Sequence, residues 1–105
     1  MDDRLLKLKE IIERETLAEL QRQHGTSYDW TGDATVTIKP GTKYTKVNVG
    51  TSGKYMVDNA TGEIFGCKGY GVIHRGHRYG TLDTIDDWAW GEYRASRRTR
   101  AAVAR

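Results

Sequence analysis

A chain of 105 residues with 37% hydrophobic and 30% charged side chains has room for one domain with one modest core, and it is too apolar for a disordered coil. Its formal charge of +3 is unevenly placed: residues 94–105 hold five arginines and no acid, whereas residues 1–93 carry a net −2. The lone Cys67 excludes an intrachain disulfide, no apolar run is long enough to span a membrane, and charges near the start do not suit a signal peptide, so a soluble cytoplasmic protein is expected.

Asp3 to about Gln23 reads as an amphipathic helix. Leu5, Leu8, Ile12 and Leu20 recur at helical spacing, with Ile11 and Leu17 broadening the stripe. Asp2 and Asp3 suit the positive N-terminal end, and His24-Gly25 suits the stop. The heptad pattern breaks at Glu15 and Glu19, so the stripe is expected to pack on a sheet rather than on a second copy of itself.

After a polar turn at Trp30-Thr31-Gly32-Asp33 the period changes to alternation. Thr35–Ile38 places Val36 and Ile38 on one face, and Pro40-Gly41 has type II turn chemistry, with Gly41 at positive φ. Lys43–Val49 alternates Thr45, Val47 and Val49 against Tyr44, Lys46 and Asn48. Turns at Gly50–Gly53 and Asn59–Gly62 flank a strand from Lys54 to Asp58, and Glu63–Cys67 follows. Connections this short predict a mainly antiparallel meander. Val72–His74 and Tyr79–Leu82 are expected to add one more hairpin. Thr84-Ile85-Asp86-Asp87 has the cap-then-acid pattern of a short C-terminal helix carrying Trp88, interrupted at Gly91. The whole predicts an α+β fold: an N-terminal amphipathic helix packed on a short-stranded, mainly antiparallel sheet, with a short C-terminal helix. The domain is expected to occupy residues 1–93, with a flexible basic tail at 94–105.

Nine of the twelve glycines fall between Gly41 and Gly80, threaded with cations and aromatics. Residues 34–80 hold seven Lys and Arg against two acids. Arginine matches phosphate in a bidentate fork, and tyrosine offers a ring for stacking on bases. Lys46, Lys68, Tyr70, Arg75, His77, Arg78 and Tyr79 are therefore the candidate nucleic-acid contacts, with Lys39 and Tyr44 extending the patch across the sheet. The tail arginines Arg94, Arg97, Arg98, Arg100 and Arg105 read as an electrostatic arm.

Residues 81–93 hold four acids and no base, together with two tryptophans. Asp86, Asp87, Trp88, Trp90 and Tyr93 thus form an alternative, protein-binding surface, with the aromatics as anchors. A third possibility, a metal-dependent hydrolase, draws on His74 and His77, but H-x-x-H with one distant cysteine is a poor zinc ligand set. No metal and no cofactor are expected. The phosphate-loop pattern fails at Asn48 and Tyr55, and the dinucleotide fingerprint fails at His74. No catalytic carboxylate pair or nucleophile arrangement is legible, so a non-enzymatic role is expected.

The run Gly53-Lys54-Tyr55-Met56-Val57-Asp58-Asn59-Ala60-Thr61-Gly62-Glu63-Ile64-Phe65-Gly66, continuing through Lys68–Gly71 and Tyr79–Thr84, resembles small uncharacterised proteins encoded by bacteriophages. The resemblance covers about a third of the chain and brings no catalytic residues with it. It implies an accessory protein acting in the cytoplasm of a bacterial host. Its partner would be nucleic acid, a nucleoprotein or a nucleic-acid-processing host protein, or, as an inhibitor or adaptor, a host defence enzyme.

Overall fold

The computed structural model describes residues 3–69, 72–91 and 95–97, without the side chains of Lys68, Val72, His74 and Arg75. Tyr70, Tyr93 and the tail arginines other than Arg97 lie outside the described residues.

Helix α1 spans Asp3–His24 and buries Leu5, Leu8, Ile11, Ile12 and Thr16. Gly25, at φ +84, ends it, its amide donating to the Gln21 carbonyl. A single helical turn, α2 (Thr31–Ala34), replaces the expected polar turn. Five strands follow: β1 (Val36–Lys39), β2 (Tyr44–Val49), β3 (Ser52–Asp58), β4 (Glu63–Gly69) and β5 (Val72–Thr81). They pair antiparallel in the order β1-β2-β3-β4-β5. Leu8 and Ile12 of α1 join Val36, Val47, Tyr55, Val57, Ile64 and Tyr79 in one core, so the helix packs on the sheet as its stripe predicts. Among the described residues no helix is long and apolar enough to cross a membrane.

Three local expectations need correction. Gly41 is not among the glycines with positive φ. It is needed for another reason: a Cβ there would stand 2.5 Å from the Tyr44 carbonyl oxygen. The expected hairpin of residues 72–74 with 79–82 is instead one ten-residue strand, β5, whose partner is β4. Its register jumps between Phe65↔Arg78 and Gly66↔His74, so residues 75–77 form a bulge on β5.

The predicted C-terminal helix is absent. Ile85–Asp87 makes one 3-10 turn, and Trp88–Ala89 (β6) then pairs with Ser96–Arg97 (β7). The Thr84 hydroxyl does not cap a helix; it accepts from the Thr81 amide at 2.9 Å and donates back to the Thr81 carbonyl. Ala95 is buried in the core, so packed residues continue past the expected boundary at 93.

The α1 carboxylates tie these pieces together. Glu13 accepts from the Val36 amide and Glu15 from the Trp90 amide, each at 2.8 Å. Under α1 the rings of Tyr55, Tyr79, Trp88 and Trp90 meet mostly edge to face, with Tyr55 5.4 Å from Tyr79 and 5.3 Å from Trp90.

Tyr55 is 1% exposed. Its hydroxyl has no well-formed hydrogen bond among the described residues, only the neighbouring Ala95 backbone. Burial, reinforced by Tyr79, pushes this phenol well above its ordinary value. In the unfolded chain a tyrosine ionises near about 10, so above that pH the unfolded state sheds a proton that the folded state keeps. Tyr55 should therefore remove up to about 1.4 kcal/mol of stability per pH unit above about 10. Urea titrations at increasing pH should show a flatter alkaline limb for Tyr55→Phe than for the parent protein. Parallel limbs would contradict this account.

Candidate nucleic-acid interface

Alternation along the strands sorts side chains onto two faces of the sheet. Val36, Val47, Tyr55, Val57, Ile64 and Tyr79 point toward α1, so their chain neighbours point away. On that second face the register joins Lys39↔Lys46, Lys46↔Met56, Met56↔Phe65 and Phe65↔Arg78. One continuous row thus crosses all five strands. At about 4.8 Å per strand it is roughly 19 Å long.

The row has an apolar centre and cationic ends. Met56 and Phe65 are buried, at 5% and 6% exposure, while Lys39 is exposed, Lys46 half-buried and Arg78 exposed. Cys67 shares this face; burial raises its thiol pKa, and the nearby Lys46 ammonium draws it part of the way back. Tyr44, also on this face, lies 5.6 Å from the Lys43 ammonium. The described acids here are both engaged. Asp58 accepts from the Ala60 and Thr61 amides of its own turn, and Glu63 holds Arg78 through Nε at 2.6 Å.

The structure brings Lys46 and Arg78 onto one surface and takes two other candidates away from it. Tyr79, at 7% exposure, belongs to the core and has no free ring for a base. His77 follows the same side of β5. A Cβ on Gly66, opposite Tyr55 in the core-facing layer, would lie 3.2 Å from the His77 Cβ. Its ring stands 6.5 Å from that of Tyr79. The side chains of Lys68, Arg75 and His74, and all of Tyr70, lie outside the described residues.

The structure buries one anchor of the alternative acidic surface. Trp90 is fully buried, with its indole N–H donating to the Ile85 carbonyl at 3.0 Å. Trp88 is packed against the core, with the Arg97 guanidinium 5.7 Å from its ring. Asp86 pairs with Lys7 at 2.7 Å, and Asp83 with Arg4 at 2.9 Å. Asp87 also has a partner, and Tyr93 lies outside the described residues. Asp83 and Asp86 thus face the N-terminal helix. Among the described residues no group of three or more His, Cys, Asp and Glu is placed to hold a metal ion.

Two features escape the sequence reading. One is the grip of Glu63 on Arg78, which depends on the register of β4 against β5. The other is an aromatic group at the end of α1, where the Trp30 ring lies 5.0 Å from His24 and 4.5 Å from an exposed Tyr28. Beside it runs an apolar groove of about 440 Å³, lined by Glu10, Glu13, Arg14, Leu17, Thr31, Ala34 and Thr35. No protein-family model matches the chain, and neither a curated protein nor a solved structure matches it.

Proposed function

We propose that the protein is a non-enzymatic binder of nucleic acid that meets the phosphate backbone with the sheet face opposite α1. One observation carries this reading: the cross-strand row places Lys39, Lys46 and Arg78 on a single face, while Glu13, Glu15, Asp83 and Asp86 are drawn to the helix side by contacts with or from α1. This face presents three cations to a polyanion, and its two described carboxylates, Asp58 and Glu63, are each engaged within the protein. Lys68, Tyr70 and Arg75 remain candidate contacts in this proposal on the strength of the sequence. With Phe65 and Tyr79 both buried, the described part of the interface works by charge more than by stacking. The accessory role in a bacterial cytoplasm that the phage resemblance implies is compatible with such a binder.

Fluorescence anisotropy with labelled single- and double-stranded oligonucleotides, at two or more salt concentrations, tests it. Each lost phosphate contact should reduce the slope of log affinity against log salt by roughly 0.7–0.9. Lys39→Glu plus Lys46→Glu should therefore flatten the slope by about 1.5 and weaken binding at low salt by roughly tenfold or more. Both positions are at least partly exposed, so circular dichroism should show the fold retained. Absence of binding at low salt, or equal affinity of the parent and double variant, counts against the proposal.

A further inference from the structure

Resting on the phosphate-binding reading of this face, we propose that Glu63 is a specificity-determining residue that holds Arg78 in reserve, so that Arg78 engages only a ligand able to displace the carboxylate. Arg78 closes the row at β5, and its side chain reaches along the β4–β5 ladder to Glu63 rather than outward alone. Only Nε is engaged, donating to Glu63 Oε2 at 2.6 Å; the Nη groups have no protein partner among the described residues. The other carboxylate oxygen accepts from the Thr61 hydroxyl at 3.3 Å. The pair is well exposed, with side chains 53% and 32% accessible. Ion pairs of that exposure are weak and screened by salt.

The chemistry follows from those contacts. A carboxylate and a phosphate compete for the same guanidinium, and phosphate can take two parallel hydrogen bonds from the Nη fork. A lone small anion gains only that one exchange. A nucleic-acid strand already held by Lys39 and Lys46 brings its next phosphates to Arg78 at high local concentration, which favours the exchange. Glu63 thereby lowers affinity for every anion but penalises isolated ones most. The ligand class this selects is a chain of phosphates long enough to bridge β1 to β5, roughly 19 Å.

Glu63→Gln keeps the size and the Thr61 contact of the side chain but removes its charge. Oligonucleotide binding should tighten several-fold, and binding of inorganic phosphate by a larger factor, since the isolated anion bears more of the Glu63 penalty. Adding Arg78→Gln to this variant should abolish both gains. Asp83→Asn, which makes the same change in net charge on the α1 side, should alter neither quantity. Unchanged or weaker binding by Glu63→Gln, or an equal gain from Asp83→Asn, overturns the role of Glu63 while leaving the basic-face reading intact. If neither the parent nor Glu63→Gln binds any oligonucleotide, both fall together.

Discussion

Replacing Trp90 by alanine is expected to cost about 3–5 kcal/mol of folding stability, a large part of what a domain of this size possesses. Trp90 has no exposed surface and contacts Tyr55, Tyr79 and Trp88, with ring centroids 5.3–6.4 Å away. Truncation would leave a cavity that the stiff β3 and β5 strands cannot close. It would also remove the indole donor from the buried Ile85 carbonyl. Trp90→Phe isolates that second loss, since most of the ring volume remains, and should fall between the parent and the alanine variant. Urea or thermal unfolding gives the comparison. Alanine and parent proteins within about 1 kcal/mol of each other would mean that the segment after the 3-10 turn is not part of the core.

The sequence announces the helix and the meander because both depend on local periodicity. Leu5, Leu8 and Ile12 can share a face only in a helix; Thr45 and Val47 can share one only in a strand. The grouping of His77, Arg78 and Tyr79 into one binding surface neglects that same rule. Consecutive residues of a strand point to opposite faces, so Arg78 on the outer face sends His77 and Tyr79 toward the core. The bulge at residues 75–77 then breaks the count, and only the paired strand reveals it. The C-terminal helix fails for a different reason. Thr84, Ile85, Asp86 and Trp88 satisfy the local pattern of a helix start. What decides their conformation is Glu15, 75 residues earlier, whose carboxylate takes the Trp90 amide that a helix would use internally. The partner of Arg78 was hidden likewise, because the pairing of Glu63 with it depends on the register of β4 against β5.

Gly91→Ala should be nearly as damaging as the loss of Trp90, although it adds only one methyl group. A Cβ at this position would stand 2.5 Å from the Glu15 carbonyl oxygen and 2.9 Å from its carbon. Those atoms belong to the backbone of a long helix that is anchored by its buried stripe, so they cannot move aside as a flexible side chain would. The chain after Trp90 must instead swing away from α1, which strains the bond from the Trp90 amide to Glu15 and pulls at the buried indole. Overpacking of this kind costs typically 1–3 kcal/mol, and the coupled hydrogen bond brings the expected loss to about 3 kcal/mol. Gly32→Ala provides the control: this glycine lies in α2 with nothing within 4 Å of the added methyl, and the substitution should be neutral or stabilise by up to about 1 kcal/mol. Chemical denaturation of the two variants side by side separates a general penalty for replacing glycine from a specific one for separating the ends of the chain. Equal stabilities for the pair would show that residue 91 does not approach the helix. A loss confined to Gly91→Ala, accompanied by faster amide exchange at Trp90, would establish that contact as the clasp between the N-terminal helix and the last packed segment.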